Sequence, residues 1–413
     1  MLIKISRILL LLLIVFVASI FIPKYYWLKF EKNIRRPIIY YSPVIHDFLI
    51  PQITRNELIH FDTKGNKYDR DQFEMLTPLL NYRQLVSVGK LPDSLNGMPL
   101  SIESVRLNNI MMRVPSDMID AKPIQLFPMF ESKSGRVRLE MPDDLFRIND
   151  RFEFINCQTN SVIQDKSNLF TAALAKENFS FPAVKIAGNP TDKKAFDEGY
   201  FVLDSKNKLF HIKMVKGKPY CANTQMPESL DVACMSIMEM PLREFYGILI
   251  TKQGGVYLIS YDDYKFIKLP LENYNIQKDN FSIMGDLFYR TISLTSSNSV
   301  HTIVTDRDYK VVDRYENSWL DNKEMPAGIF ASWVFPFTLR LEDAGSSYSN
   351  FFFRFSGYKV LLLSFVLTII TYFILRNRKI SLKQGWFDLI IVLFSGIFGF
   401  IAVLLVKNID NNN

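Results

Sequence analysis

Unbroken apolar runs mark the two ends of the chain, and alternating apolar segments fill its middle. Ile8 to Ile22 carries no charge and is followed by Tyr25-Tyr26-Trp27. A segment of 8–27 comes close to the ~20 residues that cross a hydrocarbon core, and aromatic rings at its end suit the membrane interface. Runs at 358–375 and 389–406 repeat this pattern near the end of the chain. They predict three transmembrane helices, one N-terminal and a C-terminal pair forming a hairpin. A cleaved signal peptide is the rival for the first run, with Val17-Ala18-Ser19 as a small-residue site. The apolar continuation through Ile22 and the aromatic belt favour an uncleaved anchor.

Residues 28–145 read as a small α+β part. Ile39 to Pro43 is extended, Asp62 to Lys67 is a turn cluster, and 71–88 has helical spacing at Phe73, Leu76, Leu80 and Leu85. Pro78 inside that pattern predicts a kink or a late start, and Gly89 stands where a C-cap belongs. Strand-like pieces follow from Leu91 to Val114.

Residues 146–325 read as β-rich. Three segments share one layout at a spacing near 45 residues: Tyr200–Leu203 with Leu209–Ile212, Gly247–Ile250 with Val256–Ile259, and Thr291–Leu294 with Val300–Val304. Asp263-Tyr264-Lys265-Phe266-Ile267 recurs 45 positions on as Asp308-Tyr309-Lys310-Val311-Val312. Phe152 to Ile155 opens an earlier, degenerate unit. The period suits four-stranded propeller blades, each too small to bury its faces alone. An antiparallel meander or sandwich with similar hairpins is the alternative. The fold class is therefore membrane-anchored and mainly β, with a propeller-like or meander domain.

The net charge of +7 adds orientation. Its basic residues flank the apolar runs and accompany no nucleic-acid-binding pattern, so they read as topology signals and lipid contacts. The segment 376–388 carries Arg376, Arg378, Lys379 and Lys383 against one acid, Asp388. A short basic loop stays in the cytoplasm. Residues 1–7 then also lie inside, and the chain from 28 to 357 and the tail 407–413 lie outside. Lys24, Lys29, Lys32, Arg35 and Arg36 follow the first run and argue the other way. They weigh less because a segment of more than 300 residues translocates largely regardless of charge. The expected location is the cytoplasmic (inner) membrane, with a large periplasmic domain.

Chemistry is sparse. No Asp, Glu, Lys, Arg or His lies at mid-membrane depth, where one would mark an ion path. Ser364, Thr368 and Thr371 share one face, and Ser395, Gly396 and Gly399 offer close approach. That is a helix-packing pattern, between the two spans or against a partner's. His46, Asp47, Glu57, His60 and Asp62 gather within seventeen residues without a fixed metal-ligand spacing. A metal-assisted hydrolase on these groups is the least favoured reading. His211 and His301 read as packed or surface side chains. Cys221 and Cys234 are the pair to consider for a disulfide, against three buried thiols with Cys157. The aromatic-rich stretch 326–357 suits a juxtamembrane position. No nucleophile elbow, phosphate loop or dinucleotide fingerprint is present. No catalytic, cofactor or metal residue is assigned.

One stretch resembles a known family. Tyr68-x-Arg70-x2-Phe73, Thr77-Pro78-Leu79-Leu80, Tyr82-Arg83-Gln84-Leu85 and Gly89-x-Leu91-Pro92-Asp93-Ser94 are similar to a family of bacterial three-span envelope proteins known as a domain of unknown function. The resemblance implies the same layout along nearly the whole chain. It also implies a partner, since such members are often encoded beside ABC-transporter components. Together these readings predict a non-enzymatic membrane-anchored accessory protein, in contact with the bilayer and a transporter permease or other membrane subunits, without nucleic acid. An extracytoplasmic ligand-binding or sensor module is the alternative.

Overall fold

A computed structural model describes residues 2–30, 37–53, 58–119, 125–135, 137–194, 196–321, 324–342 and 350–406. The chain forms two compact units, one of residues 36–318 and one of residues 1–35 with 319–413.

The larger unit consists chiefly of small antiparallel sheets whose strands follow chain order. The first contains Tyr40–Ser42, Asp47–Ile53, Leu58–Phe61 and Lys67–Tyr68. The second contains Phe127–Pro128, Asp144–Ile148 and Phe152–Asn156. The third contains Lys185–Gly188, Tyr200–Leu203, Leu209–Val215 and Lys218–Asn223. The fourth contains Val232–Ile237, Phe245–Thr251, Val256–Ser260 and Phe266–Lys268. The fifth contains Asn280–Gly285, Arg290–Thr295, Ser299–Thr305 and Val311–Ser318, with Ile110–Val114 added antiparallel at its edge.

The 45-residue period is thus the length of one four-stranded meander. Its inner strands are apolar on both faces: Phe245–Thr251 is buried throughout. Such strands need a neighbour on either side. The second sheet packs on the third through Phe146, Phe154, Tyr200 and Phe210. The third packs on the fourth through Phe201, Leu209, Tyr246 and Ile259. The fourth packs on the fifth through Ile248, Leu258, Ile283 and Ile292. Phe48 and Tyr41 of the first meet Tyr315 and Tyr289 of the fifth at 5.5 and 5.0 Å. Each fully buried Phe in this stack contributes roughly 1.5–3 kcal/mol.

The predicted helix over 71–88 is two short helices, Arg70–Leu76 and Tyr82–Ser87. Pro78 lies between them and supplies no N–H. An Asp69–Gln72 capping box starts the first. Residues 40–68, within the part expected to be α+β, form a meander like those downstream. Position 145, where that part was expected to end, lies within the strand Asp144–Ile148.

The smaller unit holds three helices long and apolar enough to cross a membrane. They are Leu2–Phe30, Val360–Asn377 and Leu382–Leu405. Between the first two in sequence come a short helix, Pro326–Val334, and a hairpin of Phe337–Glu342 with Asn350–Phe355. These lie within the aromatic-rich stretch 326–357, and Phe352, Phe353 and Phe355 are exposed on the hairpin. The Tyr26 hydroxyl donates to the Ala327 carbonyl at 2.8 Å, tying the short helix to the N-terminal one.

The third helix is broken at Gly396, where φ is 52° and ψ is −125°. The Arg7 guanidinium donates to both Asp388 oxygens at 2.9 Å and to the Val406 carbonyl at 3.4 Å. Asp388 thus belongs to the helix and is buried, where the sequence suggested a loop acid. The packing residues Ser364, Thr371, Ser395, Gly396 and Gly399 are all buried. The tail 407–413 lies outside the described residues.

Candidate functional site

A small cleft of about 120 Å³ opens in the larger unit. Tyr40, Tyr41 and Pro43 come from the first sheet and its turn. Thr77, Leu79 and Leu80 come from the Pro78 break between the two short helices. Ile110 and Met111 come from the added edge strand, and Met284, Asp286 and Thr291 from a hairpin of the fifth sheet. Leu80 is 42% and Met111 46% exposed, so the rim presents apolar surface to solvent.

Two polar side chains of the cleft, Thr77 and Asp286, are engaged within its walls. The Thr77 hydroxyl donates to the Phe73 carbonyl at 2.7 Å and accepts from Asn81 Nδ2 at 2.7 Å. Asp286 accepts the N–H groups of Phe288 and Tyr289, each at 2.7 Å. Burial pushes the Asp286 carboxyl up, against those two hydrogen bonds. Burial also pushes the Tyr41 phenol up to about 12, helped by Tyr289, Asp313 and Asp47.

A fully buried arginine braces the turn that carries Asp286. Arg290 donates through Nε to Glu244 Oε1 at 3.1 Å, and through a terminal nitrogen to Oε2 at 2.5 Å. Its other terminal nitrogen donates to the Asp286 and Tyr289 carbonyls at 2.5 and 2.8 Å. The Tyr309 hydroxyl donates to Glu244 as well. Burial opposes the Glu244 charge, but the Arg290 hydrogen bond and charge outweigh it and hold the carboxyl low.

The residues weighed for metal binding are dispersed into structural roles. His46 is exposed and meets the Tyr289 hydroxyl at 3.1 Å. His60 is buried and stacks on Phe73 with centroids 3.7 Å apart, and burial lowers its pKa. Asp47 accepts from Thr63 at 2.8 Å, and Asp62 accepts from Asn66 and Tyr68. Glu57 lies outside the described residues. Among the described residues no three His, Cys, Asp or Glu side chains converge on a metal-sized site. His211 is fully buried between Tyr264 and the Glu198 carbonyl, and burial drives its pKa down to about 3. His301 is exposed beside Glu316. All three cysteines are free. Burial pushes the Cys221 thiol up to about 12, whereas Cys157 is exposed, contrary to the picture of three buried thiols.

Sequence reading missed two features. The cleft joins Leu80 to Met284, more than 200 positions apart, and no local pattern reports such a meeting. A second buried ionic cluster sets Lys194 against Asp197 at 2.5 Å and Glu239 at 2.6 Å. An arginine directly before the apolar strand sequence Thr291-Ile292-Ser293-Leu294 was the available signal for the buried pair with Glu244.

In the family-like motif, Phe73 stacks on His60, Tyr68 donates to Asp62 at 3.0 Å, and Leu79 and Tyr82 pack with Val105 and Leu287. Thr77, Leu79 and Leu80 of the same motif form one wall of the cleft. A family model described as "Domain of unknown function (DUF4857)" matches residues 38–305. A search of curated proteins found no match.

Proposed function

This chain belongs to the DUF4857 family, a domain of unknown function, and from that premise we propose a non-enzymatic, membrane-anchored interaction protein of the cell envelope. The cleft carries this reading. A ligand site for a small molecule has roughly 300–1,000 Å³ and a few free convergent polar groups. This cleft has about 120 Å³, and its Thr77 and Asp286 side chains are hydrogen-bonded within the wall. It suits one apolar anchor side chain from a partner, with Leu80 and Met111 as the rim around it.

The five sheets are read as propeller blades. Support comes from the chain-order meanders and from face-to-face packing of the second on the third, the third on the fourth, and the fourth on the fifth. The larger unit is read as extracytoplasmic and the anchor as residing in the inner membrane. Support comes from Arg376, Arg378, Lys379 and Lys383 beside the turn between the second and third helices. The resemblance to proteins encoded beside ABC-transporter components makes a permease subunit the first partner to test.

The test is co-purification of the full chain in mild detergent, comparing the parent with Leu80→Glu and Met111→Glu. A carboxylate at the rim adds a desolvation cost of several kcal/mol to any apolar anchor. Membrane subunits should accompany the parent and be depleted at least tenfold from both variants. Recovery of the parent as a lone chain would remove the proposal.

A further inference from the structure

The chain reverses direction at Gly396. A continuous helix would place residues 391 and 399 about 12 Å apart along its axis. Instead, a Cβ at Gly399 would lie 2.6 Å from the Ile391 carbonyl oxygen. Residues 388 and 406 would be separated by about 27 Å. Instead, one Arg7 side chain reaches both, at 2.9 Å to Asp388 and 3.4 Å to the Val406 carbonyl.

We propose that residues 382–406 form a re-entrant hairpin, entering and leaving the membrane through the face that holds Arg7 and the turn after Asn377. The inference does not rest on the interaction reading. The first limb, 382–395, is about 21 Å long and the second, 397–405, about 14 Å, against a hydrocarbon core of about 30 Å. Neither limb reaches the opposite interface alone. The turn is chemically provided for. Gly396 adopts a positive φ that other residues resist, and Gly399 lets the second limb lie against the first. A broken helix inside a membrane must shelter its freed backbone groups within protein. The tip is sheltered: Ser395, Gly396 and Phe398 are buried, and a Cβ at Gly396 would meet Ser364 Oγ at 2.8 Å and Pro336 at 3.2 Å. At the open end, the buried Arg7–Asp388 pair joins the base of one limb to the end of the other. The chain beyond Val406 therefore departs on the same face as Arg376, Arg378 and Lys379, opposite to the outside tail suggested by three simple crossings.

Spin labels at Leu382→Cys and Leu405→Cys test this in the full chain, with Cys157, Cys221 and Cys234 changed to Ser. Both positions are exposed, at 61% and 68%. The hairpin sets these ends about 8 Å apart along the axis and one helix spacing sideways, whereas a straight helix sets them about 34 Å apart. A double electron–electron resonance distance below about 25 Å is expected, and one centred near 35 Å would overturn the proposal. Should labelling perturb the fold, an epitope after Asn413 in the otherwise unaltered chain gives the second measurement. Its accessibility should match that of an epitope inserted after Lys379. Access from the opposite side of the membrane would equally overturn the proposal.

Discussion

Replacing Arg290 by Met isolates the buried charge behind the Asp286 turn, because Met keeps much of the stem while removing the guanidinium. Arg290 has no solvent exposure and the Glu244 side chain retains 16%. Removing one partner from a buried ion pair costs about 3–5 kcal/mol, chiefly because the other charge is left unpaired. Tyr309 still donates to Glu244, and the Arg307 side chain lies 3.8 Å away, which places the expected cost near the lower end. For a unit of this size that is a fall in Tm of roughly 5–6 °C. The chain supplies its own control. Its four tryptophans, Trp27, Trp319, Trp333 and Trp386, all lie outside residues 36–318. Far-ultraviolet circular dichroism of the full chain in detergent follows the β-rich unit, and tryptophan fluorescence follows the other. The dichroism transition should move while the fluorescence transition stays. Arg290→Met combined with Glu244→Leu should cost less than the two single changes added together, by at least about 2 kcal/mol, because no charge is stranded. An Arg290→Met shift under about 2 °C, or additive single and double effects, would refute the reasoning.

Two further outcomes follow from the larger unit. Burial holds the Asp197 carboxyl up at about 6, with Glu239 adding to this and Lys194 opposing it. The folded state therefore binds a proton that the unfolded state lacks between about pH 4 and 6, and this term favours folding as pH falls through that window, by up to about 1.4 kcal/mol per unit. His211 acts oppositely: its lowered pKa keeps it neutral when the unfolded histidine is charged below about 6.5, and stability is lost as pH falls. The two slopes offset each other, so Asp197→Asn should unmask His211. The variant's Tm should fall more steeply than the parent's from pH 6 to 4, and parallel curves would count against the assignment. Gly199 has φ of +73°, and a Cβ there would sit 2.2 Å from the Ile212 carbonyl. Gly199→Ala should therefore cost at least about 3 kcal/mol in urea unfolding followed by circular dichroism, and an unchanged midpoint would contradict the strand register.

What could be read in advance followed the range of the forces involved. Strand pairs such as Phe245–Thr251 with Val256–Ser260 are joined by a local turn, so two short apolar runs around Gly254-Gly255 were enough to place them. Their recurrence gave the meander length as well. The edge strand Ile110–Val114 pairs with Phe281–Gly285 across some 170 positions, and nothing local in either segment names the other. The cleft inherits that difficulty, since its walls meet only after the fifth sheet has recruited that strand. The first meander was missed for another reason. Its last strand, Lys67–Tyr68, is only two residues long, so the helical signal after Asp69 dominated the reading.

The third helix shows the limit of hydropathy most directly. Its 24 residues satisfy length and composition for a crossing, and those two quantities are blind to direction. Gly396 and Gly399 were visible as small residues, and small residues serve close helix packing in either arrangement. What separates the two arrangements is the fate of the backbone at the break. In lipid, freed carbonyl and N–H groups cost several kcal/mol each, so a break is tolerated only where other chain covers it. Here Pro336 and Ser364 supply that cover, and neither is adjacent in sequence. The same logic applies to charge. Asp388 read as a loop acid because nothing nearby balanced it inside a helix. Its partner, Arg7, stands 381 positions away and makes its burial affordable. Arg7→Leu alone should therefore remove the guanidinium that ties Asp388 to the Val406 carbonyl and open the hairpin base, lengthening the distance between labels at residues 382 and 405. Joint replacement by Arg7→Leu and Asp388→Leu should keep that distance short. If the single variant leaves the distance unchanged, the ion pair does not hold the hairpin closed, and the glycines and the packing at the tip suffice.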